Sequence, residues 1–129
     1  MIRISHVSVF VSDQDKALKF YTETVGFVKK HDIPMGAFRW LTVVDPTGAG
    51  DVELVLEPMA FPPAKVYQKA LYDAGVPTAV FTVDDLQKEY TRLKGLGVAF
   101  KSEPQDIGPV TLAMFDDTCG NFIQLAQPK

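Results

Sequence analysis

Hydrophobic and polar positions alternate at the start of the chain. Ile4, His6, Ser8 and Phe10 fall on one side, and Ser5, Val7 and Val9 on the other, which predicts a strand with two distinct faces. Ser12 or Asp13 then offers a helix N-cap, and Ala17, Leu18, Phe20, Tyr21, Thr24 and Val25 recur at helical spacing until Gly26. Phe27–Lys30 resume an extended chain. The same strand-helix-strand pattern returns in Thr78–Lys101, where Val83 lies 72 positions after Val11 and Gly97 lies 71 after Gly26. The stretches after each pattern repeat too: Trp40–Pro58 matches Thr111–Pro128, with Asp45 over Asp116 and Glu53 over Gln124. A repeat of this length decides architecture before any short motif does.

Each copy reads β-α-β-β-β. The chain is therefore predicted to be an α+β protein of two tandem βαβββ modules, one over about residues 4–58 and one over about 77–128. Its modules are expected to form a curved mixed sheet around a cleft, with the helices on the outer face. Within the first module, strands are expected at Phe38–Val44 and Asp51–Glu57, joined by a hairpin loop at Asp45–Gly50. His31–Ala37, with Pro34 and Gly36, reads as a loop. Residues 59–76 read as a linker, with a helix at Ala64–Ala74 that turns Val66, Ala70 and Leu71 inward and ends at Gly75. In the second module Ser102–Gly108 reads as a polar loop, and Pro109–Phe115 and Asn121–Gln127 as strands around a tight turn. Asp84–Asp85 suits helix capping.

With 129 residues, 47% of them hydrophobic, the chain has enough material for one substantial core. A net charge of −3 gives no basic field for nucleic acid. No apolar run approaches the roughly 18–20 residues that a membrane span needs. The single Cys119 excludes an internal disulfide and fits a reducing cytoplasm, and its turn holds no nearby histidine to activate it as a nucleophile.

Face assignment brings out the candidate chemistry. Val52, Leu54 and Leu56 form one row and Glu53, Val55 and Glu57 the other; Ile123 and Leu125 lie opposite Phe122, Gln124 and Ala126. Through the repeat, His6 answers to Thr78 and Glu53 to Gln124. Four polar residues thus mark a mostly apolar face, the usual form of a ligand site. Arg39 or Trp40 could line it, the guanidinium meeting an anionic group and the indole supplying apolar area. A structural polar cluster is the competing reading of the same four residues.

HVSVFVSDQDKALKFYTETVGF, FTVDDLQKEYTRLKGLGVAF and FDDTCGNFIQL together resemble the glyoxalase/bleomycin-resistance/extradiol-dioxygenase family, the vicinal oxygen chelate superfamily. The last stretch is similar to the family's F-x-D-P-x-G-N-x-I-E-L ending, with Thr118 where proline is usual. The resemblance implies a cleft that in many members holds a divalent metal, with the first-strand ligand carried over to His6 and the fourth-strand carboxylate to Glu53. The second histidine position holds Thr78 and the terminal glutamate position Gln124. Both are neutral and weak as ligands of first-row metals.

The preferred reading is accordingly a small-molecule binding protein without a conventional metal site or other cofactor. Two alternatives stay open. One is a lyase, isomerase or dioxygenase using Zn, Ni, Mn or Fe at His6, Glu53 and Gln124. The other is a metal-free enzyme with Glu53 as general base oriented by His6. The resemblance also implies a homodimer, while the charge and the lack of a long apolar run leave neither nucleic acid nor membrane as an expected partner.

Overall fold

A computed structural model describes residues 1–47 and 52–129. The expected hairpin tip at Gly48–Gly50 and the expected strand start at Asp51 lie outside the described residues. The chain forms two compact units, Met1–Lys65 and Val66–Lys129.

The first unit runs β1 (His6–Val11), α1 (Gln14–Lys19), a π-helical turn (Phe20–Val25), β2 (Val28–Met35), β3 (Phe38–Val44) and β4 (Glu53–Pro58). Its four strands lie in the order β1-β4-β3-β2. β1 is parallel to β4, and the other neighbours are antiparallel. The alternation seen in the sequence places Val9, Val11, Leu41, Val43, Leu54 and Leu56 in the core, with Ala17, Phe20 and Tyr21 of the helical segment buried as well. Asp13 caps α1, its side chain accepting from the Lys16 amide at 3.1 Å. Gly26 ends the π turn at φ 104°, a left-handed conformation that suits glycine.

The second unit holds the remainder of α2 (Pro62–Ala74), then β5 (Ala79–Thr82), α3 (Leu86–Gly95), β6 (Gln105–Asp106), β7 (Val110–Asp116) and β8 (Phe122–Pro128). Its sheet order is β5-β8-β7-β6, with β5 parallel to β8. Each βαβββ module therefore closes its own four-stranded mixed sheet. Leu86 and Leu93 of α3 are buried with Ala113, Phe115, Ile123 and Leu125 of its sheet. Asp85 caps α3 as Asp13 caps α1. Among the described residues no helix is long and apolar enough to cross a membrane.

Three local expectations are corrected. His31–Met35 is not loop but the second half of β2, whose Pro34 is tolerated because β2 is an edge strand. The expected loop at Ser102–Gly108 contains the two-residue β6, paired with Thr111 and Leu112. Val66 and Ala70 of α2 are exposed. The inward positions are Ala64, Gln68 and Leu71, because the Gln68 amide donates to the Cys119 carbonyl at 3.2 Å and to Asn121 Oδ1 at 3.1 Å. A polar anchor overrides the apolar stripe there.

Candidate functional site

The parallel pairing of β1 with β4 sets His6 directly opposite Glu53. Alternation along each strand and pairing between strands then define one face of the first sheet. It carries His6, Ser8 and Phe10 of β1, Glu53, Val55 and Glu57 of β4, and Phe38, Trp40 and Thr42 of β3. From β2 come His31, Ile33 and Met35, opposite Thr42, Trp40 and Phe38 respectively. A bulge between Lys29 and His31 breaks the alternation, so that Lys30 and His31 both reach the same carboxylate.

That carboxylate is Glu53, only 8% exposed. Oε1 accepts from the Thr42 hydroxyl at 2.8 Å and faces His31 Nδ1 at 3.0 Å. Oε2 lies 3.3 Å from His6 Nε2 and 3.5 Å from the Lys30 ammonium. Thr42, fully buried, also accepts the His31 backbone N–H at 3.2 Å, so its hydroxyl is used in both directions. His6 in turn contacts the Ser5 hydroxyl through Nδ1 at 2.9 Å and lies with its ring 5.7 Å from that of Trp40. Burial works to raise the Glu53 pKa, but the hydrogen bonds from Thr42 and His31 and the charges of Lys30 and His6 outweigh it. The carboxyl is held below its ordinary value, ionised and with both oxygens engaged.

His6, Glu53 and Trp40 are thus brought together. Arg39 is not: neighbouring positions on a strand face opposite sides, and its guanidinium grips Asp32 through Nε and Nη2, both at 2.9 Å, and Asp15 through Nη1. Near it, a cavity of about 360 Å³ is lined by Ser12, Asp13, Gln14, Asp15 and Arg39 among others. Its polar side chains are largely spent, since Gln14 donates to the carbonyls of Arg39 at 2.8 Å and Leu56 at 3.0 Å and accepts from the Arg39 amide at 3.1 Å.

Thr78 and Gln124 belong to the second unit, and there the expected pairing shifts. The register sets Gln124 opposite Val80, while the Thr78 amide bonds to the Phe122 carbonyl at 3.0 Å. Val80 therefore stands beside Gln124 where His6 stands beside Glu53, and Thr78 lies two residues further back. Phe122 itself is stacked against Tyr72 at 4.4 Å, with the Tyr72 hydroxyl donating to Asp116 at 2.6 Å. The repeat offset read from sequence slips across these hairpins, and the quartet's symmetry slips with it.

The residues around Glu53 do not fit a resident divalent ion. The Lys30 ammonium stands on the carboxylate oxygen that a metal would use, and His6 Nε2 is turned to that same oxygen. Among the described residues no group of three or more His, Cys, Asp or Glu side chains is arranged to hold a metal.

Sequence reasoning missed Lys30, His31 and Thr42. The misread signal was Gly36: at φ 65° it turns a hairpin between β2 and β3 rather than marking a long loop, so the residues before it are a strand.

Comparison with known proteins agrees with this architecture. Residues 3–125 match the model of the Glyoxalase/Bleomycin resistance protein/Dioxygenase superfamily. The chain is 55% identical over 126 residues to the uncharacterized protein YurT of Bacillus subtilis (strain 168), covering 98% of this chain and 99% of the relative. Among solved structures it is similar to UcmS2, with a TM-score of 0.84 and 33% identity over 98% of both chains. It is also similar to TnmS3, an antibiotic binding protein from Streptomyces sp. CB03234, with a TM-score of 0.80 and 34% identity, covering 100% of this chain and 98% of that one.

Proposed function

The chain belongs to the glyoxalase/bleomycin resistance protein/dioxygenase superfamily, and on that footing we propose that it binds a small organic molecule on the Glu53 face of its first sheet, without a conventional metal site. The observation that carries this reading is the state of Glu53. A general base needs a free lone pair and a pKa near the working pH. This carboxyl is pushed the other way and both its oxygens are engaged, so it serves as the fixed centre of a polar cluster. A metal-dependent reaction is disfavoured by the Lys30 ammonium beside Oε2 and by Val80 opposite Gln124.

What remains is a surface for binding. Trp40 and Phe10 are half-buried, and Phe38, Ile33 and Met35 are exposed on the same face. Apolar area with a few fixed polar groups is what a small ligand uses. The antibiotic-binding role of TnmS3 points the same way. Two chains pairing as a homodimer belongs to this reading, and a light-scattering mass of a single chain would remove that part.

A thermal-shift screen of antibiotics and other aromatic natural products, run with and without chelator, tests the proposal. A ligand at a hundredfold over its Kd stabilises the native state by about 2.7 kcal/mol. The expected hit raises the melting temperature equally in both conditions and is lost in Trp40→Ala. Binding or turnover that appears only with added divalent metal, and disappears in His6→Ala, would overturn it.

A further inference from the structure

Resting on that reading and narrowing it, we infer that the Glu53 face selects aromatic molecules carrying an oxyanion, a carboxylate or an ionised phenol. The oxyanion is received by Lys30 and the Trp40 indole N–H.

The charged group left open beside Glu53 is of one sign. Each Glu53 oxygen already has two partners, Thr42 and His31 on Oε1 and His6 and Lys30 on Oε2. A cationic ligand, such as an ammonium, finds no open carboxylate oxygen there. Lys30 keeps further N–H groups beyond its contact with Oε2, and its side chain is 48% exposed. His31 gives Nδ1 to Glu53, which leaves Nε2 of the neutral ring an acceptor, so this side chain adds no donor of its own. Among the described residues the Trp40 indole N–H has no hydrogen-bond partner, and its ring is held beside His6.

Charge points the same way. Lys30 cancels Glu53, and each imidazole adds either nothing or one positive charge, so the cluster is never negative while Lys30 is protonated. Glu57, the other carboxylate on this face, lies four residues further along β4, about 13 Å away at 3.3 Å per residue. Its Oε1 accepts from the Ser8 hydroxyl at 3.2 Å. An anion is therefore welcome only at the Glu53 end. The aromatic body belongs beyond it, where the register continues the face through Trp40 and Ile33 to Phe38 and Met35.

Three ligands of one shape test this: 2-naphthoate, 2-naphthamide and 2-naphthylmethylammonium, titrated into the full chain. The chain has one tryptophan, so a single indole ¹H–¹⁵N resonance reports on this face. Naphthoate is expected to move that resonance and to bind at least about tenfold more tightly than the amide, with the ammonium weakest, as charge-assisted hydrogen bonds imply. Lys30→Gln should cost naphthoate about tenfold and leave the amide within about twofold, and Lys30→Arg should restore the preference. Equal affinity for naphthoate and naphthamide, with the indole resonance still moving, overturns the oxyanion inference and leaves the binding function standing. Naphthoate binding that leaves the indole unmoved also overturns it. So does failure of all three to bind, in which case the binding function rests on the antibiotic screen alone.

Discussion

Replacing Glu53 by Gln keeps the shape of the side chain and removes its charge. Two effects oppose each other. Relieving a buried charge of its desolvation is favourable, and buried ion pairs often contribute little net stability for that reason. Against this, the carboxylate takes two short contacts, from Thr42 at 2.8 Å and His31 at 3.0 Å. A hydrogen bond to a charged group is worth about 1 kcal/mol more than a neutral one. The amide nitrogen of Gln would also have to face either the Lys30 ammonium or the Thr42 hydroxyl. Lys30 and His6 are 48% and 40% exposed, so their screened charges add only a few tenths of a kcal/mol each.

The lowered folded-state pKa of Glu53 shows that its partners outweigh burial, and losing the charge on its two short hydrogen bonds sets the cost of Glu53→Gln at pH 7 at about 1–2 kcal/mol. At about 2.1 cal/mol/K of unfolding entropy per residue, that is about 4–7 °C in melting temperature. The pH dependence carries the sign. A carboxyl whose pKa is depressed in the folded state contributes stability that is complete above its unfolded pKa and is lost as pH falls through the folded value. The gap between the native protein and Glu53→Gln should therefore be full at pH 7 and close in acid, below the ordinary carboxylate range. Urea melts of both proteins across that range measure it. A variant equally or more stable at pH 7, or a gap that widens in acid, would refute this reasoning.

Two further changes test the scaffold around the site. Gln14 bridges β3 and β4 beyond the two residue pairs, Thr42–Val55 and Val43–Leu54, at which those strands are in register. Gln14→Ala should cost about 2–3 kcal/mol in urea denaturation, with Gln14→Glu no better, since a carboxylate cannot donate to the Arg39 and Leu56 carbonyls. Thr118 is the one described non-glycine residue at positive φ, 64°. Proline, locked near −65°, cannot take that conformation, so the turn as it stands here is incompatible with the proline usual in the family's ending. Thr118→Gly should raise stability by about 0.5–1 kcal/mol by relieving a β-branched residue, and a loss on calorimetry would count against strain at this turn.

The repeat, two helices with their aspartate caps, and the placing of His6 and Glu53 on one polar-marked face were legible from spacing. Hydrophobic periodicity encodes which face a residue occupies, and capping is a matter of three or four neighbours. Those are local properties, and a sequence carries local properties directly. Register is not local. Whether Gln124 stands beside Thr78 or Val80 depends on how two strands slide along each other, and a shift of two residues leaves the hydrophobic pattern unchanged. The bulge at Lys29–His31 is of the same kind: it breaks the alternation that pattern reading depends on, and so brings Lys30 and His31 onto one carboxylate. The sequence by itself determined the modules and the presence of Glu53 on a polar-marked face. Only the tertiary structure decided its neighbours, because pairing between distant strands chooses which side chains meet, and those neighbours make Glu53 an ionised anchor rather than a base or a metal ligand.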